Sequence, residues 1–152
     1  MDDKRSLKDR LARYVPLFIW LAFIFFASSN SFSAGNTSEI IEPLVRWFVP
    51  DVSPGTLATI HFFTRKAAHF TEYAILGFLA ARAFSRSKHE FRRRYWLLFA
   101  VGLIVVYSLL DEYHQSFVPS RTASVYDSFI DMAGGLTALT ISYLRRRSAS
   151  RR

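Results

Sequence analysis

The sequence predicts an all-α membrane protein, a four-transmembrane-helix bundle with a short interfacial helix in the first extracytoplasmic loop. Three observations carry that expectation. Residues 14–38 contain no charged side chain. Residues 95–110 form a second uncharged stretch, with Trp96, Phe99, Ile104 and three Val. Both runs approach the length of about 20 apolar residues that a hydrocarbon core demands of a helix. The composition agrees, with 51% hydrophobic residues and 15 Phe in 152 residues. A chain of this length is expected to form one domain, residues 1–152.

Four spanning segments follow, at about 11–29, 62–84, 95–115 and 125–144, each bounded by charge or by turn-forming residues. The first has a basic start and an apolar run over 17–27 with small residues after it, so it also satisfies the pattern of a secretory signal. We read it as a retained span. The second and fourth contain only nine and thirteen consecutive uncharged residues, 73–81 and 132–144. They span only if the polar groups at their outer ends turn into the bundle.

Between the first two spans, Ile40, Ile41, Leu44, Val45 and Phe48 form one helical face beside Trp47. An amphipathic helix over about 39–48, lying on the membrane surface, is expected there. Pro50-Asp51-Val52-Ser53-Pro54-Gly55 then turns the chain toward the second span.

Charge placement sets the orientation. Sixteen of the twenty Lys and Arg fall in the N-terminal segment, the connection between the second and third spans, and the tail. The other side keeps only Arg46, Arg65, Lys66 and Arg121. The positive-inside rule therefore puts both termini in the cytoplasm of a multi-pass protein. A net charge of +8 does not indicate nucleic acid, because the basic residues lie between apolar runs instead of on one soluble face. The absence of cysteine excludes disulfides and thiolate metal sites.

The ionisable residues inside the spans form a pattern. Lys66, His69, Tyr73 and Gly77 share one helix face, with Glu72 on its shoulder. Tyr107, Ser108, Asp111, Glu112 and Gln115 make a polar sector of the third span. In the fourth, Asp127 and Asp131 lie one turn apart beside Gly134, Gly135, Ala138 and Ser142, a small-residue seam that permits close helix contact. Alternating helix directions bring Lys66, His69, Glu72, Asp111, Glu112, Gln115, Asp127 and Asp131 to one outer depth. A charge at a helix centre costs about 2.5–3.5 kcal/mol on insertion scales, so such a cluster needs mutual pairing, water or a ligand.

Simpler readings stand beside the functional one. Lys66 and Arg121 neutralise carboxylates in a purely structural core, Asp127 caps its helix, and His114 faces the interface. His69, Glu72, Asp111 and Asp127 are metal-ligand types. One clear histidine and a competing Lys66 argue against an ion, and neither metal nor cofactor is expected. Ser28, Ser29 and Ser108 are the serine candidates for a Ser-His-Asp site, but no nucleophile turn accompanies them.

The runs Arg65-Lys66-Ala67-Ala68-His69-Phe70-Thr71-Glu72-Tyr73 and Asp111-Glu112-Tyr113-His114-Gln115-Ser116-Phe117-Val118-Pro119-Ser120-Arg121, followed by Asp127 and Gly134, resemble the VanZ-like family of bacterial integral membrane proteins. The resemblance covers most of the chain. Ser120 and Asp131 stand where many members have Gly and Asn. The family's named member is associated with low-level resistance to teicoplanin, a lipoglycopeptide that acts outside the cytoplasmic membrane. The resemblance thus implies a role in the bacterial cell envelope, at the cytoplasmic membrane, without naming a reaction.

The expected function is an outward-facing polar pocket that binds or modifies an amphiphilic substrate, a lipid or lipid-linked phosphate, with membrane lipids or a lipoglycopeptide as partners. Lys66 and Arg121 would hold an anionic group, His69 or Glu72 would move protons, and Asp111 and Glu112 would orient them or share a proton; Gln115 and Asp127 complete the candidate set. The alternative is a non-enzymatic membrane scaffold whose charged cluster is structural. An ion-coupled carrier is disfavoured, because charges at a single depth supply no relay to the cytoplasm.

Overall fold

The computed structural model describes residues 2–29, 34–119 and 124–150, and all its regular structure there is helical. The described residues form six helices in order: α1 (Asp2–Ala27), α2 (Ala34–Phe48), α3 (Pro54–Ser85), α4 (Glu90–Arg94), α5 (Trp96–Gln115) and α6 (Val125–Ala149). Among the described residues, two stretches are long and apolar enough to cross a membrane, Leu7–Ala27 of α1 and Trp96–Gln115, which is α5. Helices α3 and α6 are longer than α5 but interrupt their apolar runs with charge.

Local chemistry explains where the helices run past the apolar segments. The second expected span starts at 62, yet α3 begins at Pro54, because Ser53 caps it by accepting the Thr56 N–H at 3.1 Å and Pro54 occupies the first turn. At about 1.5 Å per residue, its 32 residues reach about 48 Å. Helix α6 likewise continues through Arg145, Arg146 and Arg147. Basic residues suit a helix C-terminus, where the dipole is negative. The five-residue α4 in the basic connection was not expected.

Pro16 lies inside α1 and has no N–H for the carbonyl of Ala12. A guanidinium N–H of Arg82, on α3, donates to that oxygen at 3.1 Å. The break in the α1 ladder is thereby mended from a neighbouring helix.

Helix α3 is the hub of the bundle, touching α1, α2, α4, α5 and α6, and its contact with α6 is the most extensive. Glycines make that contact close. A Cβ added at Gly77 would lie 2.5 Å from the Gly135 carbonyl oxygen, and one at Gly134 would fall on the carbonyl of Phe70. The small-residue seam read from the sequence is therefore used from both sides.

The core is narrow. Leu17 and Ile24 come from α1, Tyr73, Leu76, Ala80, Ala81 and Ala83 from α3, Ala100 and Ile104 from α5, and Leu139 from α6. Helix α1 is thus an integral part of the packed bundle. Around it, burial is inverted relative to a water-soluble protein. Phe18 is 65% and Leu98 70% exposed, whereas Asp127 is 2% and Asp131 0% exposed. Water would penalise both halves of that arrangement.

Candidate functional site

The buried ionisable residues gather near the C-terminal end of α5 and the N-terminal end of α6, against the middle of α3. Helical spacing puts them there. Steps of three and four residues keep Lys66, His69, Tyr73 and Gly77 on one side of α3, and the last three are buried. The same spacing sets Ser108, Asp111, Glu112 and Gln115 on the buried side of α5, and Asp127, Ser128 and Asp131 on that of α6.

Two groups form within this cluster. In the first, Asp127 accepts from the Lys66 ammonium, and its other oxygen lies 3.5 Å from the Arg65 guanidinium. In the second, His69 Nδ1 is 3.1 Å from Asp131 Oδ1. An ionised carboxylate can only accept, so the imidazole N–H is the donor when Asp131 is charged. Asp111 adjoins this pair. Its oxygens accept from Ser28 Oγ and, at 3.2 Å, from Gln115 Nε2. Donor atoms of His69, Asp111 and Asp131 lie within 4.8 Å of one another.

Glu112 joins α5 to the start of α6, accepting the Ser124 N–H at 2.7 Å. An anion there satisfies a donor that the helix cannot, so Glu112 takes the terminal role expected of Asp127. Asp127 instead pairs with α3. Glu72 is half-buried, within electrostatic range of His69, and its backbone carbonyl accepts from Trp20 Nε1 at 2.9 Å. A second latch from α1 is its Leu21 carbonyl, which accepts from Tyr107 at 2.5 Å.

Four buried polar atoms among the described residues have no hydrogen-bond partner: the Tyr73 hydroxyl, Glu112 Oε1, Asp131 Oδ2 and His114 Nδ1. Native interiors satisfy nearly all such groups, so each of these atoms calls for a water, an ion, a ligand or a proton. His114 otherwise stacks on Phe25, with ring centroids 4.3 Å apart.

Of the sequence-derived residues, Lys66 meets Asp127, Asp111 meets Gln115 and lies beside His69, and Glu112 faces α6. Arg121 lies outside the described residues. Sequence reasoning left Asp131 without a role, although its one-turn spacing from Asp127 signals a shared face. It also gave Arg65 and Ser28 no part in the network. Ser28 meets a carboxylate instead of an imidazole, and Ser108 Oγ donates to Val105 O at 3.0 Å, so neither of these two serines is paired with a histidine ring.

Fold and site together define, among the described residues, an all-helical protein with two helices long and apolar enough to cross a membrane and a buried, multi-carboxylate polar centre. The family model described as VanZ/LLP1 matches residues 14–146, and the chain belongs to that family. No curated protein and no solved structure matches it.

Proposed function

We propose that the chain is a single-domain, four-span protein of the bacterial cytoplasmic membrane, with α1, α3, α5 and α6 crossing, both termini in the cytoplasm, and the polar centre toward the outer leaflet. The inverted burial supports this reading, since exposed Phe and Leu suit lipid while ions turned inward find partners. The orientation rests on the sixteen-to-four division of basic residues. Helix α2 lies along the outer surface. Its Ile40, Leu44, Trp47 and Phe48 are exposed along one side, as an interfacial helix requires. Cysteines at positions 51 and 89 should label from opposite sides of the membrane. Labelling of position 89 from outside intact cells would reject the orientation.

The polar centre, in this reading, binds or modifies an amphiphilic lipid or lipid-linked phosphate. The observation that carries it is the set of unpartnered buried polar atoms beside a cationic pair, Arg65 and Lys66. The cations, with Arg121, would hold an anionic headgroup. His69, Glu72, Asp111 and Glu112 would orient it and exchange protons. A link to glycopeptide susceptibility is part of the same proposal, because lipid-linked wall precursors are met on that face.

Profiling lipids and wall precursors in a deletion strain and in a Glu112→Gln strain tests it. One species accumulating in both identifies the substrate. Unchanged profiles in both strains reject the substrate reading. The second reading, a structural network, is favoured by the bonds that already tie Ser28, Asp111 and Gln115 together.

A further inference from the structure

We propose that His69, Asp111 and Asp131 bind a divalent first-row metal ion, of the kind represented by Mn2+ or Zn2+. One imidazole nitrogen and two carboxylate oxygens are a donor set for such ions. Each comes from a different helix, α3, α5 and α6, so packing fixes their relation. All three residues are buried, and their donor atoms lie within 4.8 Å of one another. An ion about 2.1 Å from each of its ligands spaces tetrahedral donors about 3.4 Å apart. His69 and Asp131, at 3.1 Å, already stand close to that separation, and an Asp111 oxygen lies within 4.8 Å of both.

Charge balance points the same way. The objection raised by the sequence was that Lys66 would compete with a metal. Lys66 is instead engaged by Asp127, together with Arg65. Among the described residues, no Lys or Arg pairs with Asp111 or Asp131, and the ionisable partner of Asp131 is the His69 imidazole, which is charged only when protonated. Two ionised carboxylates and a neutral imidazole in an apolar bundle carry two negative charges, which two protons or one divalent cation neutralise. An ion would also satisfy atoms that the protein leaves alone. Asp131 Oδ2 has no partner, and neither has the Tyr73 hydroxyl, a fully buried group within electrostatic range of both aspartates. Glu72 and Asp127, ligand types on the sequence, are not in this set. Three protein ligands leave a position open for water or an oxygen of an anionic headgroup. Only that last role rests on the substrate reading above; the binding does not.

The test uses the full, untagged chain purified in detergent, stripped with a chelator and titrated with Mn2+ or Zn2+. Saturable uptake of about one ion per chain, with a rise in melting temperature, is expected. Loss of a group that merely orients a ligand costs about 10–100-fold in affinity, so Asp131→Asn and His69→Gln should each weaken binding at least that much, while Glu42→Gln leaves it unchanged. Where a variant fails to fold, Co2+ added to the unaltered protein decides, through the ligand-field absorption of mixed nitrogen and oxygen coordination. Absence of saturable uptake, or uptake equal in Asp131→Asn and the unaltered protein, overturns the site. Neither result bears on whether the deletion strain accumulates a lipid.

Discussion

Helix α3 connects two ends of the molecule that treat charge in opposite ways. At the acidic end, Asp111, Glu112, Asp127 and Asp131 are buried. At the other, Arg82, Arg86, Arg145 and Arg146 line a cavity of about 770 Å3 between α3 and α6, together with Phe78 and Ile141. The arginine side chains there meet backbone oxygens, hydroxyls and rings. Arg13 donates to the Arg86 carbonyl, Arg82 to that of Ala12, and Arg146 to Ser85 Oγ at 2.7 Å while lying over Trp96. None of the four cavity arginines has a carboxylate partner among the described residues. At the acidic end the buried Asp127 carboxylate is held by Lys66 and Arg65, whereas the cavity arginines are left to their surroundings. Equal substitutions at the two ends should therefore have unequal effects.

The largest expected contrast is between Lys66→Met and Arg86→Ala. Removing Lys66 leaves Asp127 buried with a longer contact to Arg65, which should cost about 3 kcal/mol of stability. Arg86→Ala should stay within about 0.5 kcal/mol. Thermal unfolding in detergent measures both, and similar losses would erase the distinction. A comparable pair separates the helix seam from an open helix face. Gly134→Ala sets a Cβ against the Phe70 carbonyl and should destabilise by about 2 kcal/mol, whereas Gly102 has open space and Gly102→Ala should stabilise by about 0.5–1 kcal/mol. Ser28→Ala removes a buried donor to Asp111 and should cost about 1–2 kcal/mol. The smallest effect belongs to Glu42→Gln, whose partner Arg46 is exposed, at under about 0.5 kcal/mol.

The acidic end was more legible in the sequence than these contrasts are. Periodicity of three and four placed His69, Tyr73 and Gly77 on one face, and likewise Ser108, Asp111 and Gln115, because burial on a helix repeats with its turn. Periodicity orders residues within a helix and says nothing of which partner stands opposite. Lys66 could have met any of four carboxylates, and only the crossing of α3 and α6 at Gly77, Gly134 and Gly135 selects Asp127. Ser28 ends an apolar run in a stretch of several serines, and nothing in that stretch singles it out, so its contact with Asp111 was not legible in the sequence. The extent of α3 was hidden for another reason. Residues 54–61 include Thr56, Thr59 and His61, which break an apolar pattern without breaking a helix.

Whether the acidic end is a working site or a lock is decided by pairing activity with stability in the same variants. Glu72→Gln, Asp111→Asn and Glu112→Gln keep side-chain volume and much of the hydrogen bonding, but remove the charge and the exchangeable proton. The expected result is loss of the deletion strain's complementation by each variant, with the melting temperature of the purified protein nearly unchanged. Full complementation by all three, or loss of complementation only in step with loss of folded protein, would contradict the account and make the cluster a structural network.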